Sequence, residues 1–163
     1  MKKTMVIGIS TLGLLATVLG VTMVDTTVNA GVKTEQNLTK LEEMDMKLEL
    51  SVSPAPIDED AAIESAKATF GGLVVGAKQV KVEYHMLTNK SFQLFSEEAI
   101  QKNPSLKTKG IDRLPVYIVT FKGVEIEQSG PKKQTESPKG KHSELNVVVD
   151  ATTGVALKAF SYR

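Results

Sequence analysis

Hydrophobic and polar residues alternate with a period of two from Met44 to Ser53: Met44, Met46, Leu48, Leu50 and Val52 interleave with Asp45, Lys47, Glu49, Ser51 and Ser53. That period sets one row of side chains on a core and the other in water, and it predicts a first strand. Pro54-Ala55-Pro56 ends it, because proline lacks the ladder N–H and holds the residue before it extended. The period then changes to that of a helix, with Ile63, Ala66 and Phe70 on one face and Glu64 and Lys67 on or beside the exposed side. Asp58 is the expected N-cap, Ile57 and Ala62 stand at staple spacing, and Glu59 and Asp60 put negative charge where the helix dipole favours it. Gly71-Gly72 is expected to stop the helix.

A second alternation, Val80, Val82, Tyr84 and Met86 against Lys81, Glu83, His85 and Leu87, predicts a strand over 79–88 with a mostly polar outer face. Residues 89–113 are less regular; Ser96-Glu97-Glu98 marks a short helix that ends by Asn103-Pro104. A long strand over 115–127 follows, with Gly123 as a bulge or close-approach point. Leu145–Val149 and Val155–Tyr162 form a closing hairpin, in whose turn the Asp150 carboxylate accepts backbone N–H bonds and Gly154 supplies positive φ. The expected fold is α+β: one main helix packed on a curved antiparallel sheet of about five strands, plus a short second helix.

The ends of the chain add an address. Lys2 and Lys3, the apolar run Met5 to Val24 and the small-residue site Val28-Asn29-Ala30 follow the order of an export signal, so 1–30 is read as a signal peptide or, uncleaved, as a membrane anchor. Residues 31–43 are polar and read as a flexible leader or a short helix, and 44–163 as one domain with inserts at 89–113 and 128–142. A domain of this kind works exported, secreted or at the cell surface, and touches a membrane only through residues 5–24. A net charge of +1 does not imply nucleic acid as a partner. Cysteine is absent, which removes a disulfide framework, a thiol nucleophile and a lipid-attachment cysteine, and is compatible with Gram-positive export.

Ile57-Asp58-Glu59-Asp60-Ala61-Ala62 opening a helix, followed by strands and then by Val148-Val149-Asp150-Ala151-Thr152-Thr153-Gly154-Val155, resembles the PepSY domain over residues 57–162. The two inserts depart from that pattern. The resemblance implies a non-catalytic extracytoplasmic binding or regulatory module that binds or restrains a peptidase. It carries Asp150, Thr153 and Gly154 over as residues that shape the hairpin, with Asp58 as the helix cap and no catalytic role for any of them.

The residues themselves offer little chemistry. His85 is expected on the outer face of its strand and His142 at the end of a mobile loop, both solvated. No cofactor and no metal are expected, since neither a His-x-x-x-His spacing nor a calcium loop occurs. Serines stand outside nucleophile motifs, so catalysis is not expected, and a hydrolase with a scattered site is the alternative from another class. Asn37-Leu38-Thr39 and Asn89-Lys90-Ser91 match the glycosylation sequon, by chance in a chain that looks bacterial. Lys132, Lys133, Lys139 and Lys141 crowd a tip that holds no large apolar residue, opposed only by Glu136. Such a tip steers an anionic partner, a wall polymer, lipid headgroup or acidic protein surface, or else serves solubility. The functional expectation is thus a binding module for an extracytoplasmic protein, with a surface adaptor acting through the lysine tip as the alternative.

Overall fold

The computed structural model describes residues 32–91, 94–126 and 142–162. The export segment and the four tip lysines lie outside them. In chain order the elements are α1 (Leu38–Glu43), β1 (Lys47–Leu50), α2 (Glu59–Val74), β2 (Gln79–Asn89), α3 (Glu97–Lys102), α4 (Leu106–Lys109), β3 (Ile111–Ile126), β4 (His142–Asp150) and β5 (Ala156–Phe160). The strands form one antiparallel sheet in the order β1-β2-β3-β4-β5. The fold is α+β. Among the described residues no helix is long and apolar enough to cross a membrane.

Caps and turns follow from local chemistry. Asp58 Oδ1 accepts the Ala61 N–H at 2.7 Å and Ser96 Oγ the Ala99 N–H at 3.1 Å, each contributing about 1 kcal/mol to its helix. Asp150 Oδ1 accepts the Thr152 and Thr153 N–H groups, its Oδ2 accepts the Thr153 hydroxyl, and Gly154 takes φ +73°. Gly123, at φ +77°, sits where the β3–β4 register shifts between Lys122 and Ile126, which is the expected bulge.

Both faces of the sheet are covered. On one face α2 lies over β3, β4 and β5, and Ala62, Ala66 and Val74 meet Tyr117, Val119, Phe121, Val147 and Val149. On the other, residues 32–46 together with α3 and α4 cover Val116, Ile118 and Val148 through Leu41, Met46, Ala99 and Leu106. The alternation along β3 and β4 therefore separates two cores; it does not separate core from solvent.

Four expectations change. The helix does not stop at Gly71-Gly72: it bends at Phe70 (φ −118°, ψ 18°), just ahead of the two glycines, and runs on to Val74. The first strand spans only Lys47–Leu50; Val52 is 98% exposed, since the chain leaves the sheet to reach the α2 face ahead of the Pro54-Ala55-Pro56 segment. Of the two readings of residues 31–43 the short helix holds and the free leader does not: α1 forms, and Leu41 and Gln36 are buried against the sheet. His142, placed by the sequence in the loop, opens β4 opposite Ile126.

Candidate functional site

The β1–β2 pairing covers only part of β2. Lys47↔Thr88 to Leu50↔His85 are paired, whereas Gln79 to Tyr84 pair with β3 alone, from Gln79↔Lys122 to Tyr84↔Tyr117. Among the described residues the outer backbone of these six receives no hydrogen bond. At roughly 3.4 Å per residue the open edge is about 20 Å long, and alternate residues along it turn N–H and C=O outward. Val80, Val82 and Tyr84 stand on the α2 side, opposite Phe121, Val119 and Tyr117, while Gln79, Lys81 and Glu83 stand on the other. Because α2 is seated over β3 to β5, this margin is left thinly covered: Val80 is 37% exposed and Val82 and Tyr84 are half-buried. Exposed apolar residues flank both ends, Leu73 and Val75 ahead of β2 and Leu50 and Val52 beyond β1.

A polar strap, residues 32–37, fastens the opposite face of the same margin. Thr34 Oγ1 and the Glu35 N–H, the latter at 2.7 Å, both donate to the Glu83 carboxylate. Glu35 accepts from Lys81 and, at 3.5 Å, from Lys122. The Lys81 ammonium holds the Glu35 carboxyl below its usual range, against a smaller effect of burial. A relay of side chains then crosses the sheet: Tyr162 Oη donates to Gln36 Oε1 (2.6 Å), Gln36 Nε2 to Thr120 Oγ1 (3.0 Å), Thr120 Oγ1 to Asn146 Oδ1 (2.7 Å) and Asn146 Nδ2 to Glu144 Oε1 (3.2 Å). Burial pushes the Tyr162 phenol up to about 12. Each buried polar group in this relay is thereby satisfied, which keeps its desolvation cost small.

His85 is 3% exposed, not solvated. The strap covers the face on which hydropathy places it in water, and its Nε2 lies 3.1 Å from Glu83 Oε2, while among the described residues Nδ1 has no hydrogen-bond partner. The arrangement is a poor nucleophile site. The Thr34 hydroxyl bonds the carboxylate and not the imidazole, so the histidine is not placed to take its proton. Among the described residues no three His, Asp or Glu side chains gather as metal ligands would.

Of the residues singled out from the sequence, Asp58 stands at the α2 start and Asp150, Thr153 and Gly154 in the β4–β5 turn. The open edge itself escaped the sequence, although one signal pointed to it. Prolines at 54 and 56 and a cap at 58 leave too little chain for a long first strand to continue and still reach the helix face. Searches against protein-family models, curated proteins and solved structures return no match for this chain.

Proposed function

We propose that this protein is a non-catalytic extracytoplasmic binding module that takes up an extended segment of a partner protein along the outer edge of β2, from Gln79 to Tyr84. The observation that carries the reading is the six-residue edge left unpaired, among the described residues, beside a short β1. Strand addition supplies affinity from main-chain hydrogen bonds and specificity from alternate side chains, without chemistry at the site. The PepSY resemblance of residues 57–162 supports an exported peptidase as the partner class, and the leader of residues 1–30 supports work outside the cytoplasm.

The test is a photo-crosslinking residue placed at position 80 of the full chain, on intact cells, with Lys67 on the exposed side of α2 as the control position. The reading expects one reproducible exported protein captured from position 80 and not from 67, with its crosslink mapped to an extended segment. Identical products from both positions would overturn it.

A further inference from the structure

Resting on the open-edge reading, we infer that the segment taken up by β2 alternates apolar and polar residues, with its apolar side chains turned to the α2 side. The pleat dictates this. A strand laid beside Gln79–Tyr84 shares the sheet's two faces, so every second side chain falls next to Val80, Val82 and Tyr84 and the others next to Gln79, Lys81 and Glu83. On the first face the neighbours are apolar and incompletely covered; Leu73 and Val75 extend that margin toward the end of α2. On the second the neighbours are the Lys81–Glu35 ion pair and the Glu83 carboxylate, already hydrogen-bonded and wet enough to favour polar partners. An edge with apolar side chains on both faces would accept any hydrophobic strand; this one discriminates by phase.

A second copy of the chain fits the edge less fully. A two-fold axis that pairs β2 antiparallel with itself must set residues of like pleat against each other. Centred on Val82 it brings Gln79 of the copy onto His85, where Leu50 is already paired; centred on Lys81 it sets two lysines face to face. In the Val82-centred register a copy can pair only Val80–Tyr84, one residue fewer than a heterologous strand, which we therefore take as the occupant.

The probe is a synthetic peptide of about eight residues, alternating Val or Ile with Ser or Thr and flanked by lysines for solubility. It is compared with a block-shuffled peptide of the same composition and with the alternating peptide N-methylated at every second amide. The full chain is the receptor, and hydrogen exchange at residues 79–84 reports the site. The inference expects the alternating peptide to bind at least about tenfold more tightly than the shuffled one, a difference of about 1.4 kcal/mol. N-methylation on the strand-facing amides should abolish binding, and Val80→Asp should weaken it by a similar factor while Val80→Thr restores most of it. Equal binding of alternating and shuffled peptides, with no binding of the N-methylated one, would overturn the alternation and leave the open edge standing. No peptide-dependent protection at 79–84 would overturn both. A concentration-dependent dimer with that edge protected would replace the heterologous strand with a second copy.

Discussion

The two margins of this sheet are finished in opposite ways. At β5, Ser96 donates its N–H to Leu157 O at 2.7 Å and its hydroxyl to Ala156 O at 2.6 Å, while the same oxygen accepts the Ala99 N–H that starts α3. One residue therefore caps a helix and holds the first two carbonyls of the β5 edge. At β2 nothing comparable reaches Gln79–Tyr84 among the described residues, although the strap lies across its polar face. An uncovered edge invites pairing and aggregation, and the stretch Gln79–Tyr84, bare among the described residues, is the margin on which the proposed strand uptake rests.

The contrast breaks most severely at Asn89, which joins the two margins. Its Nδ2 donates to Met44 O and Asp45 O in the turn before β1, and its Oδ1 accepts from Lys158 Nζ of β5 at 2.8 Å. Asn89→Ala should destabilise the fold by about 3–5 kcal/mol, by stripping an acceptor from a buried ammonium and donors from two carbonyls. Denaturant unfolding measures it, and hydrogen exchange should show β1 loosening before β3.

Second in size is a pH effect on the β5 side. Burial lowers the Lys158 ammonium to about 8 from an ordinary 10.5. Between those values the unfolded chain binds the extra proton, so stability rises with pH; the cost of burying the charge is fully present below about pH 8. The gain should reach about 2–3 kcal/mol near pH 10. Above that, Tyr162 and Tyr117, whose burial raises them, ionise more readily in the unfolded chain and reverse the slope. Lys158→Met should flatten the rise between pH 8 and 10 in chemical denaturation; an unchanged slope would assign the effect elsewhere.

Ser96→Ala, which removes the hydroxyl bonds at the β5 margin and leaves the backbone bond to Leu157 O, should cost about 1–2 kcal/mol through the lost cap and the lost bond to Ala156 O. Its thermal midpoint reports this. Val80→Thr on the bare margin should change stability by less than about 0.5 kcal/mol, since the side chain is already partly in water. A large loss there would mean that the β2 margin is packed after all.

Hydropathy made the main elements legible because they obey it. The period-two runs placed β2 and the heart of β3, and Asp58 and Ser96 marked both helix starts through caps that depend only on neighbouring residues. Where sequence reading missed, the determinant was tertiary. Glu83, His85, Thr120 and Asn146 look like a solvated face, yet Thr34, Glu35 and Gln36 come down upon them, polar on polar, a contact that hydropathy does not mark. Alternation likewise marked Leu50 and Val52 as strand, but the register with β2 ends at Leu50 because the chain must cross to the other layer. The open edge follows from where β1 ends, a boundary that alternation does not set.

The position of Asn89 also governs how the protein can be produced. Asn89-Lys90-Ser91 is an acceptor sequence for an oligosaccharyltransferase, and in a eukaryotic secretory host the sugar would be attached to nascent chain before this side chain is enclosed. Once folded, Asn89 has no exposed surface and its amide is committed to two carbonyls, so a glycan there is incompatible with the native packing. Asn37, exposed and using only its Oδ1 to cap α1, tolerates the same modification. A yeast or mammalian preparation should therefore carry Ser91→Ala, or its yield of native material will track the unoccupied fraction at one asparagine.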